Sequence, residues 1–160
     1  MIIMGIDSST TSTGWAVIDT KHKGALRLVD YGTINPPKKY DTIQRIIYIS
    51  DKFKELLRVM KPELVVIEQM NVTTNLNTVR VLAGLLAELE VVLTRQRYLY
   101  ALVTPAQWRK SVGIKGKKRD ELKLASQIFV INNFFEKVNE DEADAICIAE
   151  AGSKMGVENE

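Results

Sequence analysis

The stretch IIMGID, residues 2–7, is an apolar run that ends in a carboxylate, and LVVIE, residues 64–68, repeats this arrangement. Apolar runs of this length are typical of strands buried inside a sheet. An acid at the end of such a strand is costly unless a cation meets it. A third acidic segment, EDEADAICIA at residues 140–149, places two aspartates directly before an apolar run. If these acids converge, they form a site for a hard divalent metal ion.

The segments around these runs predict an α/β fold. Strands are expected at residues 2–7, 14–19 and 26–34, and because short links join them they should form an antiparallel meander. A helical stripe over 41–60, followed by the strand at 64–68, predicts a parallel neighbour. The remaining predicted elements are a helix over 75–97, a strand over 98–103, and helices from Thr104-Pro105, over 118–135 and over 141–152. The sequence therefore predicts a five-stranded mixed sheet, three antiparallel strands then two parallel, flanked by helices.

Length and composition are typical of an ordinary globular protein. The chain has 160 residues, 46% hydrophobic and 26% charged, and we expect a single domain over 1–154 with a frayed tail at 155–160. No apolar stretch reaches membrane-spanning length, and the N-terminus lacks the pattern of a signal peptide. Cys147 is the only cysteine, which excludes an internal disulfide and favours the reducing cytoplasm as location.

The net charge of +2 conceals an asymmetry along the chain. Residues 136–160 carry eight acidic and two basic side chains, whereas residues 91–119 carry eight Lys or Arg and no acid. A basic stretch of this kind indicates a polyanionic partner, although a charge run taken alone is also explained by a solvated positive face.

The helix expected over 75–97 is apolar around most of its girth. Its apolar residues are Val79, Val81, Leu82, Leu85, Leu86, Leu89, Val91, Val92 and Leu93. Because such a helix must be buried on two sides, it either lies deep within the monomer or presents its second face to another subunit.

Each acidic residue, taken singly, has an ordinary structural explanation. Asp7 could begin a turn, Glu68 could pair with a nearby lysine, and acids at 141 and 144 could complement a helix dipole. Together they predict one pocket, because 141 and 144 share a side of one helix and neighbouring strands can place 7 and 68 at one level. Four carboxylates in one pocket resist ionisation, and divalent cations relieve the repulsion. Without a histidine cluster, Mg²⁺ suits such oxygen ligands better than zinc.

The chain resembles the RuvC-type Holliday junction resolvases, which have a ribonuclease H-like fold. The resemblance spans nearly the whole chain and rests on MGIDSSTTSTGWAVI at 4–18, VVIEQ at 65–69 and DEADAICIA at 141–149, in the order and at the distances typical of the family. It implies a homodimeric, Mg²⁺-dependent endonuclease that nicks four-way junctions and other branched DNA. The compact length and unusual loops favour a phage or mobile element, whose product would act in the cytoplasm of a bacterial host.

The resemblance also implies roles for particular residues. The implied catalytic and metal-binding acids, holding two Mg²⁺ ions that Mn²⁺ can replace, are Asp7, Glu68, Asp141 and Asp144. The implied phosphate contacts are Arg109, Lys115, Lys117, Lys118 and Arg119. Met70 and Asn71 stand where sequence-selective family members carry an aromatic residue, and they are expected to contact DNA. Since base stacking contributes roughly 1–3 kcal/mol, its loss predicts a broader range of branched substrates. No membrane contact and no small-molecule cofactor are expected.

Other functions remain open at this point. A catalytically silent protein of the same fold could bind branched DNA without cutting it, and a related nuclease could act on flaps or RNA–DNA hybrids. A sugar kinase or actin-like ATPase shares the strand–turn–strand opening. Such enzymes need a much longer chain and a second glycine-rich phosphate loop, neither of which this sequence offers.

Overall fold

The computed structural model describes residues 1–21, 26–70 and 75–155, and its strands form one mixed sheet. The strands are β1 (Ile2–Asp7), β2 (Thr13–Asp19), β3 (Arg27–Ile34), β4 (Leu64–Glu68) and β5 (Tyr100–Val103). Their order across the sheet is β3-β2-β1-β4-β5. The β3–β2 and β2–β1 pairs are antiparallel, and the β1–β4 and β4–β5 pairs are parallel. This confirms the predicted mixed sheet.

Helices cover both faces of this sheet, and their ends differ slightly from the predicted ones. They are α1 (Thr42–Met60), α2 (Leu76–Arg95), α3 (Pro105–Val112), α4 (Arg119–Phe134) and α5 (Glu140–Met155). Helix α2 ends before 97 and β5 begins after 98 because Arg97 adopts a left-handed backbone with φ of 61°. Helix α5 continues to Met155, three residues beyond the predicted end at 152. Residues 156–160 of the predicted tail, and residues 22–25 in the link between β2 and β3, lie outside the described residues.

The helices begin where the capping residues predict. Thr104 accepts a hydrogen bond from the backbone of Gln107, and Pro105 occupies the first turn of α3. Asn139 and Glu142 exchange side-chain-to-backbone hydrogen bonds of 2.9 Å at the start of α5. These caps satisfy backbone N–H groups that a helix start otherwise leaves unpaired. They also fix where α3 and α5 enter the fold.

Two hydrophobic cores lie on opposite faces of the sheet. Met4 and Ile6 belong to the core beneath α1 and α2, whereas Ile3 and Val66 belong to the core beneath α3, α4 and α5. Side chains along a strand alternate between the two faces. Residue 7 therefore lies on the same face as residue 3, and residue 68 on the same face as residue 66. Both strand-end acids are on the α5 face.

Glycines let α5 lie directly on the sheet. A Cβ added at Gly5 would lie 2.2 Å from the carbonyl oxygen of Ala145, and one at Gly14 would lie 2.2 Å from that of Asp141. No side chain can be accommodated at such distances, so the two glycines set the separation between helix and sheet. The first turn of α5 consequently lies beside the carboxyl end of β1.

Helix α2 is buried on one face only. Leu85, Leu89 and Leu93 are fully buried, whereas the side chains of Leu76 and Val91 are 81% and 42% exposed. Of the nine apolar residues that the sequence analysis named on this helix, only Val91 is exposed. The monomer itself therefore covers most of that apolar surface, while one side of the helix remains exposed. Within the described ranges, no helix combines the length and the hydropathy needed to cross a membrane.

Candidate active site

An acidic cleft of about 520 Å³ opens at the carboxyl ends of β1 and β4. Ile6 pairs with Ile67 in the parallel ladder, so the next residues, Asp7 and Glu68, stand at the same level of the sheet. The cleft is lined by Asp7, Ser9, Thr11, Ser12, Glu68, Arg109, Arg119, Leu122, Lys123, Asp141 and Asp144. The structure thus brings together all four acids that the sequence analysis singled out.

The two aspartates of α5 have different surroundings. Asp144 is buried, with 3% of its surface exposed, whereas the side chain of Asp141 is 34% exposed. Ser12 donates a hydrogen bond of 2.6 Å to Asp141 Oδ2, and Thr13 donates one of 2.6 Å to the Ser9 carbonyl. The hydroxyl-rich β1–β2 loop therefore closes over the cleft and orients one of its acids.

Lys123 extends from α4 into the middle of the acids, and the sequence analysis missed it. Its Nζ lies 2.5 Å from Asp144 Oδ2, 3.8 Å from Asp7 Oδ2 and 3.9 Å from Asp141 Oδ1. Only 14% of its side chain is exposed. Arg119 and Lys123 stand four residues apart on one helix and share a face, which is the sequence signal that could have identified the pair.

Burial and mutual repulsion perturb the acids of the cleft. Burial, together with the neighbouring carboxylates of Glu68 and Asp144, raises the pKa of Asp7 to about 7 against the opposing effect of Lys123. Burial also raises the pKa of Glu68, against the hydrogen bond from Trp108 and the charge of Arg109. Burial alone would lower the pKa of Lys123, but its hydrogen bond with Asp144 and the surrounding carboxylates raise it. Perturbations of this kind cluster at functional sites.

Trp108 connects the acids to the basic side of the cleft. It is fully buried, so it is not available for stacking on a base. Its indole N–H donates to Glu68 Oε2 at 2.5 Å, and the guanidinium carbon of Arg109 lies 4.8 Å from its ring centroid. One buried ring thereby holds both a carboxylate and a cation in place.

The other sequence-predicted DNA contacts lie around the acidic cleft or outside it. Arg109 and Arg119 line the cleft itself. Lys115 lines a neighbouring cavity of about 480 Å³, which also includes Arg109 and Lys110. The side chains at 117 and 118 are exposed, and their backbone N–H groups donate to Glu121.

The position expected to contact the junction centre is described only in part. Met70 is half-buried and follows β4 by two residues. Asn71 lies outside the described residues. Of these two residues, Met70 is therefore the one that the structure places, close to Glu68 of the cleft.

Two buried polar atoms of the described residues have no hydrogen-bond partner, and both belong to the cleft. They are Asp144 Oδ1 and Arg109 Nε. Unpaired buried polar atoms are rare and call for an explanation such as a missing ion or ligand. A metal ion would satisfy the carboxylate oxygen and an anion would satisfy the guanidinium. As arranged now, no three acidic, histidine or cysteine side chains of the described residues are positioned to hold one ion together, and Lys123 stands in the gap between them.

Comparison with known proteins identifies relatives over almost the whole chain. The family model described as crossover junction endodeoxyribonuclease RuvC matches residues 3–151. The proteins of that name from Alkaliphilus metalliredigens and from Synechocystis are 30% and 26% identical to this chain. Both alignments cover 98% of the chain, with 94% and 93% of the relatives covered.

Solved structures of similar proteins show the same fold. The chain of T. thermophilus RuvC in complex with a Holliday junction substrate has a TM-score of 0.81 at 18% identity, covering 99% of this chain and 96% of that one. The Fowlpox virus resolvase in complex with Holliday junction DNA has a TM-score of 0.65 at 15% identity, with complete coverage of both chains. At these identities the likeness concerns the fold.

Proposed function

Because the chain belongs to the RuvC family of crossover junction endodeoxyribonucleases, we propose that it hydrolyses phosphodiester bonds in four-way DNA junctions at the acidic cleft. We further propose Asp7, Glu68, Asp141 and Asp144 as the residues that hold divalent metal there. The observation that carries this proposal is the gathering of the four carboxylates from two strands and one helix into one cleft beside two arginines. When bound, metal ions in such a site activate water and stabilise the leaving oxygen.

The residues of the chain prepare the cleft for this chemistry. Trp108 and Ser12 fix the orientation of Glu68 and Asp141 through hydrogen bonds of 2.5 Å and 2.6 Å. Fixed ligands lose little freedom when the site is loaded, and second-layer hydrogen bonds of this kind tune metal sites. Arg109 and Arg119 supply positive charge for the phosphate that has to lie against the acids.

The donor set supports Mg²⁺ as the ion, with Mn²⁺ as a substitute. The cleft residues offer carboxylate and hydroxyl oxygens, and among the residues that the structure describes neither His nor Cys lines it. Mg²⁺ prefers hard oxygen ligands, while zinc prefers nitrogen and sulfur. Two ions per site is our proposal for the count, since paired ions clamp both the attacking and the leaving oxygen in phosphodiester hydrolysis.

Replacing Asp7 by Asn tests the catalytic proposal. The variant should bind a synthetic four-way junction while Mg²⁺-dependent nicking falls by at least about 100-fold. The reason is that loss of the Asp7 carboxylate charge removes several kcal/mol of transition-state stabilisation. Gel assays of binding and cleavage, each with and without Mg²⁺, measure both effects. Asp51→Asn is the matched control, because Asp51 is exposed and forms a surface ion pair with Lys54; it should cut normally. Full nicking by Asp7→Asn would refute the assignment.

The basic residues support a path for the DNA backbone. Arg109 borders both the acidic cleft and the neighbouring cavity of Lys110 and Lys115. A phosphate chain leaving the cleft would therefore continue along these cations, with Lys117, Lys118 and Arg119 at its side. Binding should weaken steeply with salt. Arg109→Gln should lower the salt slope measured by titrating a labelled junction, and an unchanged slope would remove Arg109 from the path.

Met70 supports a broad substrate range. A methionine adapts its shape but offers no aromatic face for stacking on a base. We propose that the chain nicks three-way junctions and flaps as well as four-way junctions. In a cleavage survey of these substrates, Met70→Phe should shift activity toward four-way junctions of particular sequence, with Met70→Leu as the control. Strict use of one sequence in four-way junctions by the unmodified chain would contradict this proposal.

Homodimerisation is part of the proposal. Leu76 and Val91 on α2, and Ile43 and Ile47 on α1, are exposed apolar side chains on one layer of the fold. A twofold pairing through this layer would cover them and supply the two active sites that two symmetric nicks require.

A catalytically silent junction-binding protein is the second candidate. The observation that favours it is Lys123, whose ammonium already neutralises part of the acidic cluster. In that case the unmodified chain would bind a junction and leave it uncut at every Mg²⁺ concentration.

A further inference from the structure

We propose that Lys123 is the built-in counter-ion of the metal-free carboxylate cluster, and that its ammonium must leave the gap between Asp7, Asp141 and Asp144 before metal can bind. This inference rests on the proposed function of the cleft. It assigns Lys123 a positioning role and makes it a competitor of the metal ion.

The contacts of Lys123 are those of an ion in a coordination site. Its Nζ is within 4 Å of carboxylate oxygens on three of the four acids, which come from β1 and from two positions of α5. Other lysines in ion pairs of the described residues each meet a single acid, as Lys154 meets Glu150 at 3.0 Å. Lys123 instead reaches Asp7, which is 116 residues away in sequence, and at the same time two acids of another helix.

The charge balance explains why a cation has to be there. Four carboxylates in a partly buried cleft repel one another strongly when no positive charge lies between them. One ammonium relieves this repulsion only in part, since a lysine carries a single charge. Asp144 Oδ1 accordingly remains buried without a partner. One ammonium thus reduces the repulsion enough for the chain to fold, but it leaves negative charge that a cation of higher charge can neutralise.

The chemistry of lysine suits a displaceable counter-ion. Its ammonium is a compact point charge on a flexible four-carbon stem, unlike the rigid fork of arginine. The stem arises from α4 at the wall of the cleft, next to Leu122, and Ser9, Thr11 and Arg119 line the same cleft. Under the proposal, a change of the Lys123 rotamer takes the ammonium out of the gap without moving a helix.

Removing the lysine charge should tighten metal binding. Lys123→Gln keeps a polar side chain of similar reach but removes the competitor, so its Kd for Mg²⁺, measured by calorimetry on the full chain, should fall at least about tenfold, or about 1.4 kcal/mol. The matched control is Lys154→Gln, which also breaks a lysine pair with an acid of α5 and should leave the Kd unchanged. Equal Kd values for Lys123→Gln and the unmodified chain would overturn the inference.

Thermal melting supplies a second readout. In EDTA, Lys123→Gln should melt below the unmodified chain because the acids repel, and saturating Mg²⁺ should abolish the difference. An equal loss of Tm with and without Mg²⁺ would indicate a purely structural ion pair and would also overturn the inference.

A third measurement uses the unmodified chain, so it stands even if the variant does not fold. Acylation of lysine amines, followed by mass spectrometry, should label Lys123 several-fold faster in Mg²⁺ than in EDTA, while labelling of Lys154 stays constant. Labelling of Lys123 that ignores Mg²⁺ would contradict the displacement. If the unmodified chain binds Mg²⁺ and nicks junctions but fails these tests, only the inference falls; if it neither binds Mg²⁺ nor nicks, the proposed function falls and the inference with it.

Discussion

At the scale of single residues, burial in the cleft keeps a carboxyl group protonated at pH values at which it would be ionised in water. Asp7 is 18% exposed at its side chain, and burial raises its pKa to about 7 from an ordinary value of 3.8. A carboxyl group with such a pKa keeps its proton until a cation compensates the charge. The burial and crowding of acids that we propose for metal binding therefore destabilise the metal-free cleft.

The pH dependence of stability follows from the sign of this shift. Between about pH 4 and pH 7 the unfolded chain has released the proton of Asp7 while the folded chain retains it, so the metal-free protein should lose stability as pH rises through this window. In EDTA, Asp7→Asn should remove that loss and exceed the unmodified chain at pH 8 by on the order of 1–3 kcal/mol. Urea unfolding at several pH values measures it.

Asp51→Asn is the control for this series and should follow the unmodified chain at every pH. In Mg²⁺ the order of stability of the unmodified chain and Asp7→Asn should reverse, since only the unmodified carboxylate gains from binding the ion. A stability of the unmodified chain that rises with pH in EDTA, relative to Asp7→Asn, would contradict the raised pKa.

At the scale of elements, the site depends on how closely α5 approaches the sheet. Gly5 and Gly14 on neighbouring strands leave room for the backbone of α5, with would-be Cβ contacts of 2.2 Å. Asp141 and Asp144 reach the cleft only because this helix lies so low. The glycines thus serve the site from positions that carry no chemistry themselves.

Gly5→Ala should lower stability by about 2–4 kcal/mol, because the added methyl must push against helix backbone that cannot rotate away. Junction nicking should fall as well, since α5 has to move with its acids. Chemical denaturation and the cleavage assay measure the two effects.

Gly84→Ala is the matched control, as its added methyl would meet only Ile46 Cδ1 at an ordinary 3.7 Å. Because alanine favours a helix over glycine, this variant should gain about 0.5–1 kcal/mol. Equal stabilities for the two variants would show that Gly5 does not determine the separation between α5 and the sheet.

At the scale of the whole molecule, folding rearranges the charge asymmetry of the chain. The acidic segment at 140–144 and the basic side chains within 109–123 lie in different parts of the sequence, yet both border one cleft. Carboxylates and cations are thereby placed side by side, as the proposed binding of metal and phosphate requires. The apolar side chains of α1 and α2 lie on the opposite face of the sheet, so a dimer formed there would leave the cleft open to DNA.

Introducing charge on this face should disrupt the proposed dimer. Ile47→Lys combined with Leu76→Lys places two ammonium groups at side chains that are 55% and 81% exposed, so folding should persist while twofold contact becomes repulsive. Analytical ultracentrifugation should report a monomer.

Leu124→Lys combined with Ile128→Lys is the control for surface charge. These side chains, 57% and 47% exposed, belong to α4 on the other face of the sheet, and the variant should remain dimeric. If the α4 variant becomes monomeric and the α1–α2 variant does not, the interface lies on the cleft side.

The sequence by itself determined the order of the strands and helices, the mixed sheet and the identity of the four acids. Apolar runs ending in Asp7 and Glu68, and the helix carrying Asp141 and Asp144, are local patterns that the chain expresses within a few residues. Periodicity and capping act over the same short range, so they can be interpreted without coordinates.

Only the tertiary structure decided which other side chains enter the cleft. Lys123, Ser12 and Trp108 contact acids that are between 21 and 129 residues away in sequence. Such contacts depend on the height of α5, the angle of α4 and the rotamer of each side chain. No local pattern encodes these quantities, because they result from the packing of three helices against one sheet.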